Sequence, residues 1–294
     1  MATATITSSA RSFGGRVLKY KHASATLGCD MVFSVFLPPA VTETSSPSIK
    51  VPAVVFLSGL TCNEDNFLTK AGAVQYAAKL GVALVCPDTS PRNVNCPDDA
   101  TSWDFGQGAS YYVDATTPEY AKHYRMYSYV TQEFHDLITS TLPIDKTRIS
   151  LMGHSVGGHG ALTLGLRNPH LYRAISAFAP MSNPTNCAWG VKAFSRFLGD
   201  SDNKQAWKQY DATEVVKAYN GRDVDVLVDQ GTADTFLAEY LLTPRVVEAA
   251  KGNQRVHLEY RERDGYDHGY WYISTFVEEH LRWHAERLLQ QQQH

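Results

Sequence analysis

At 294 residues and 44% hydrophobic content, the chain is long enough for one large α/β domain or two small ones, with ample apolar side chains for a core. A formal net charge of −3 gives no reason to expect nucleic acid or an anionic membrane surface as partner. No apolar run approaches the roughly 20 residues that a membrane-spanning helix needs.

In chain order, residues 1–12 are small and polar, without the apolar core of a secretory signal, and read as a frayed tail. Residues 16–21 and 30–37 read as two strands, the second closed by Pro38-Pro39. A Ser/Thr/Pro-rich loop over 41–50 precedes Ala53-Val54-Val55-Phe56-Leu57, a continuous apolar run of the kind found in strands covered on both faces. A loop, Ser58-Gly59-Leu60-Thr61-Cys62, follows it; a helix over 66–80 and a buried strand over 82–86 come next. Residues 88–117 form a long irregular stretch carrying Trp103, Phe105, Tyr111 and Tyr112. That aromatic content predicts an ordered excursion near a functional site.

Tyr120, Tyr124, Tyr127, Val130, Phe134, Leu137 and Ile138 recur at helical spacing, which predicts a helix over 120–141. A strand then runs into a glycine-rich helix that Asn168-Pro169 ends. A strand over 174–179, a second excursion over 180–220, a strand over 224–228, a helix over 236–250, a strand over 256–260 and a helix over 270–289 complete the chain. The Gln-rich 290–294 reads as a disordered tail. This alternation predicts a doubly wound, mainly parallel sheet with helices on both faces and an antiparallel N-terminal edge, in a single domain over 1–294. Five cysteines (Cys29, Cys62, Cys86, Cys96 and Cys187) lack disulfide or metal spacing, so free thiols and no metal are expected.

The chemistry concentrates at Gly153-His154-Ser155-Val156-Gly157, a G-x-S-x-G between the apolar strand and the glycine-rich helix. That context describes a sharp turn with a nucleophilic serine at its apex, rather than an ordinary β–α turn. Ligands of open α/β sheets bind beyond the carboxyl ends of the strands, so partners of Ser155 are sought in such loops. Among eleven histidines, His268 in Asp264-Gly265-Tyr266-Asp267-His268-Gly269 is the one in a glycine-bounded loop at that edge. His154 and His159 adjoin the pentapeptide, and His280 and His284 suit packing on the final helix. Asp234 is the favoured acid over Asp225, Asp229 and Asp267, because it follows the 224–228 strand through a short loop. The order Ser155, Asp234, His268 is that of an α/β-hydrolase. Backbone N–H groups of Val156 and Leu60 are the expected oxyanion donors. Cys62, two residues past Leu60, reads either as a small buried residue or as a thiol that shapes the pocket.

The strings Leu57-Ser58-Gly59-Leu60-Thr61-Cys62, Pro87-Asp88-Thr89-Ser90-Pro91-Arg92, Trp103-Asp104-Phe105-Gly106, Tyr124-Arg125-Met126-Tyr127-Ser128-Tyr129 and Asp264-Gly265-Tyr266-Asp267-His268 resemble the S-formylglutathione hydrolase (esterase D) family over roughly 21–282. The resemblance implies an α/β-hydrolase that cleaves S-formylglutathione to formate and glutathione in formaldehyde detoxification. It implies a cytoplasmic homodimer with no cofactor and no metal, and no nucleic-acid or membrane partner. It carries the triad onto Ser155, Asp234 and His268, and thiol sensitivity onto Cys62. Val156 stands where the family usually has Met, and Gly269 where it usually has Ser. An anionic glutathione moiety calls for nearby cations, with Lys192, Arg196 and Arg92 as candidates, and Trp103 and Trp189 as further substrate contacts. A general short-chain carboxylesterase or acyltransferase on the same scaffold is the alternative.

Overall fold

Nine strands form one sheet in the computed structural model of the chain, which describes residues 3–42, 49–97, 102–200 and 204–290. They are β1 (Thr5–Ser12), β2 (Gly15–Ser24), β3 (Cys29–Leu37), β4 (Val51–Leu57), β5 (Ala83–Pro87), β6 (Ile144–His154), β7 (Ala174–Phe178), β8 (Val224–Gly231) and β9 (Val256–Arg263). Their order across the sheet is β1-β2-β3-β5-β4-β6-β7-β8-β9. Pairing is antiparallel through β1, β2, β3 and β5, and parallel from β5 to β9, as the strand–helix alternation predicts.

The frayed tail expected over 1–12 is corrected by β1, which spans Thr5–Ser12. Every residue from Thr5 to Arg11 is exposed, so no apolar alternation marks the strand. Its existence is set by the turn: Phe13 (φ 49°) and Gly14 (φ 79°) both take positive φ between the paired Ser12 and Gly15, the geometry of a two-residue hairpin. Part of the 41–50 loop and most of the 290–294 tail lie outside the described residues.

The helices are α1 (Pro39–Thr42), α2 (Asn66–Lys70), α3 (Ala73–Leu80), α4 (Met126–Ser128), α5 (His135–Thr141), α6 (Val156–Arg167), α7 (Ala188–Leu198), α8 (Lys204–Lys208), α9 (Ala212–Ala218), α10 (Thr243–Lys251) and α11 (Tyr270–Leu289). The single helix expected over 66–80 is two, broken at Gly72, whose φ of 66° no continuing helix allows. The helix expected from Tyr120 begins at Met126, because residues 113–115 take the upstream backbone groups: the Ala115 N–H donates to the Tyr124 carbonyl and the Met126 N–H to that of Val113. A π-helical segment, Tyr129–Phe134, joins α4 to α5. The helix expected over 236–250 is divided at Leu242 (φ 53°), ahead of Pro244. The 180–220 excursion folds as α7, α8 and α9, with Phe194, Phe197 and Trp207 in the core.

Alternation along β7 puts the two covering layers on opposite faces. Ser176 and Phe178 face His284 and His280 of α11, while Ile175 and Ala177 meet Gly165 and Gly158 of α6. Helix α3 packs beside α11. The register aligns Leu57 with Gly153, His154 with Phe178, and Phe178 with Asp229. The loops carrying Leu60, Ser155, Asp234 and His268 therefore leave one sheet edge.

Candidate active site

Ser155 sits at φ 57° and ψ −120°, a conformation rarely adopted by non-glycine residues and stable only when neighbours over-determine it. The Ser155 N–H donates to the Phe178 carbonyl at 3.0 Å, and the Ser155 carbonyl accepts from the His159 and Met181 N–H groups, both at 3.0 Å. The flanking glycines are required by proximity. A Cβ on Gly153 would lie 2.1 Å from the Gly157 carbonyl oxygen, and one on Gly157 would lie 1.9 Å from that of Leu57.

Asp234 and His268 meet as expected from the sequence: His268 Nδ1 lies 2.6 Å from Asp234 Oδ2. Burial pushes the Asp234 carboxyl up, but hydrogen bonds from His268, the Phe236 N–H (2.9 Å) and the Gln230 amide (3.1 Å) outweigh it and hold the group below the usual carboxylate range. An ionised Asp234 can only accept, so Nδ1 of His268 carries the proton and Nε2 is left as an acceptor. The His154 ring lies 4.5 Å from that of His268, and Gly59 closes the same cluster, with its Cβ position 3.0 Å from Ser155 Cβ.

The Leu60 N–H has no acceptor among the described residues. Val156 opens α6, so its N–H lacks an intrahelical partner. The Ser58–Cys62 loop is pinned by the first excursion. Tyr112 Oη donates to the Ser58 carbonyl (2.9 Å), Thr61 N–H to the Gly108 carbonyl (2.9 Å), and Thr89 Oγ1 to the Cys62 carbonyl (2.6 Å). Described residues of the excursion thus lie at the site, as its aromatics imply. Cys62 is half-buried, and burial pushes its thiol up against the opposing pull of Lys70, Tyr270 and Arg92.

Aromatic rings run from His268 to the surface. Phe236 stands edge-on to His268 at 5.1 Å, Trp189 lies 5.3 Å from Phe236 and stacks on Tyr240 at 3.9 Å, and the exposed Trp103 stands edge-on to Trp189 at 5.1 Å. The cations singled out from the sequence are engaged. Lys192 Nζ lies 2.6 Å from Asp104 and 2.8 Å from Ser102. Arg92 donates to Asp88 at 2.7 and 2.8 Å and to the Cys62 carbonyl at 3.0 Å. The Arg196 guanidinium lies 5.1 Å from the Phe105 ring centroid.

Asp225, Asp267, Asp229 and His280 have other partners. Asp225 pairs with Arg287 (2.8 Å), and Asp267 accepts from the Gly269 N–H (2.9 Å). Ser176, His280 and Asp229 repeat the Ser–His–Asp residue types, with Ser176 Oγ 3.0 Å from His280 Nδ1 and His280 Nε2 3.3 Å from Asp229 Oδ1. All three are completely buried, so this set is closed to substrate and ties α11 to β7 and β8. Two contributors to the site escape the sequence reading. Gln230 holds Asp234 while accepting from Thr243 Oγ1 (2.8 Å), and Phe236 flanks His268. An amide beside Asp229 near the carboxyl end of β8 was the available signal for Gln230; Phe236 carries none.

The family model described as "Putative esterase" matches residues 24–284. An S-formylglutathione hydrolase of Mus musculus is 48% identical over 281 residues, 96% of this chain and 97% of that protein. One of Arabidopsis thaliana is 47% identical, covering 95% of this chain and 96% of its own length. The solved structure of an S-formylglutathione hydrolase from Agrobacterium tumefaciens superposes with a TM-score of 0.90 at 42% identity, over 97% of this chain and 99% of that one. With the sheet order above, these likenesses assign the α/β-hydrolase fold.

Proposed function

The chain belongs to the S-formylglutathione hydrolase family of esterases, and from that membership we propose that it hydrolyses S-formylglutathione to formate and glutathione through Ser155, His268 and Asp234, in one catalytic domain. The observation that carries the reading is the 2.6 Å contact from His268 to Asp234, beside a serine held at positive φ.

His268 Nε2 takes the hydroxyl proton as Ser155 Oγ attacks the formyl carbon. The tetrahedral oxyanion receives the N–H groups of Leu60 and Val156, and Asp234 stabilises the imidazolium. Collapse breaks the carbon–sulfur bond, and His268 returns its proton to the departing thiolate. Water, deprotonated by the same imidazole, then attacks the formyl-serine ester, releasing formate and restoring Ser155. A thiolate leaves readily and a formyl carbon is unhindered, so no cofactor is needed. The rings of Phe236, Trp189 and Trp103, which run outward from His268, support substrate contacts along that path. The family resemblance supports a role in formaldehyde detoxification by a cytoplasmic homodimer.

The test is Ser155→Ala assayed on S-formylglutathione together with fluorophosphonate labelling. The variant is expected to lose both turnover and label. Near-full turnover in Ser155→Ala would overturn the mechanism.

A further inference from the structure

Glutathione bears two carboxylates and one ammonium at neutral pH, so its thioester arrives with a net negative charge. A cation that already neutralises a protein carboxylate offers little to it. Lys192 and Arg92 are in that position, with Asp104 and Asp88 as their partners. The Arg196 guanidinium lies against Phe105.

Lys70 is placed differently from Lys192 and Arg92. It is the last residue of α2 and is exposed, and among the described residues it makes no ion pair. Its Nζ stands 5.6 Å above the centroid of the Tyr270 ring. That ring belongs to the residue two past His268 and lies 6.2 Å from the His154 ring, while its hydroxyl reaches towards Ser58 and Cys62. Lys70 therefore stands above a side chain that follows the base loop and lies beside the His154 ring. Its charge also acts on the Cys62 thiol, so it lies within electrostatic reach of the pocket.

We propose that Lys70 is the cation that receives a carboxylate of the glutathione moiety, which makes it a specificity-determining residue for the leaving group. The inference rests on the reading of this site as one for S-formylglutathione. A lysine suits the task because its flexible stem lets a point charge follow a flexible tripeptide. The contact is exposed, so its contribution falls as salt rises.

The experiment compares S-formylglutathione with a neutral thioester, S-formyl-N-acetylcysteamine, in wild type, Lys70→Ala, Lys70→Glu and Lys70→Arg. On S-formylglutathione, kcat/KM is expected to fall about five- to tenfold in Lys70→Ala, mainly through KM, and further in Lys70→Glu. Lys70→Arg is expected to stay near wild type. All four proteins should handle the neutral thioester within about twofold of one another. Unchanged S-formylglutathione kinetics in Lys70→Ala and Lys70→Glu, or equal losses on both substrates, would overturn the role of Lys70 alone. A wild type that cleaves the neutral thioester and not S-formylglutathione would overturn the substrate reading and this inference together.

Discussion

At the scale of single residues, Ser155 and His268 are set apart from the histidines and serines around them by where their loops leave the sheet. Ser155→Ala should cost roughly a millionfold in kcat, since triad members act as a unit. Asp234→Asn should cost about ten-thousandfold, because an amide cannot hold the proton on His268 Nδ1. Cys62, with its thiol pushed up by burial, is neutral at pH 7. Iodoacetamide should therefore inactivate slowly at pH 7 and faster at pH 9, and Cys62→Ser should abolish the effect. Inactivation that persists in that variant would place the sensitive thiol elsewhere. The pairing of Asp234 with His268 was readable in the sequence because chain order and strand ends restrict a base and an acid to few loops. The cations were not, because whether Lys192 or Arg92 is free depends on Asp104 and Asp88, and local sequence does not state such pairings.

At the scale of elements, the turn from β6 into α6 depends on close approach. Gly157→Ala would drive a methyl to within 1.9 Å of the Leu57 carbonyl oxygen, forcing α6 away from β4. Activity should fall with a lowered melting temperature, and a variant matching wild type in both would contradict this packing. Gly269, by contrast, is the N-cap of α11 with φ −85° and ψ 179°, ordinary extended backbone. A Cβ there meets nothing nearer than Asp267 Oδ1 at 3.4 Å. Gly269→Ser should stabilise the helix by a few tenths of a kcal/mol without loss of turnover, as measured by thermal unfolding. Strand positions were legible because buried parallel strands are continuous apolar runs. Helix breaks were not: Gly72 and Leu242 interrupt sequences whose apolar spacing continues across the break, and β1 has no buried face to pattern it.

At the scale of the whole molecule, the sheet and the helices packed on it carry a set of histidines held neutral by burial. The rings of His154 and His284 lie well below the ordinary imidazole range, His280 is lowered, and His159 is pushed down to about 4. A folded-state pKa below the unfolded one means that the unfolded chain takes up protons first as pH falls. Stability is therefore full above about pH 6.5 and declines between there and pH 4. The carboxylates of Asp229 and Asp234, held low, add to the loss only below about pH 4. His159 alone should cost about 2 kcal/mol at pH 5, enough to lower the melting temperature by several degrees from its pH 7 value. An unchanged midpoint between pH 7 and pH 5 would mean that these rings can be protonated in the folded state. The sheet architecture was legible as a whole because alternating strands and helices admit few packings, whereas the substrate depends on groups that several loops bring to one edge. The most direct measurement is therefore kcat/KM of the purified chain on S-formylglutathione beside an acetyl aryl ester. The account predicts a clear preference for S-formylglutathione; a preference for the aryl ester would contradict it and leave a general short-chain esterase on the same triad.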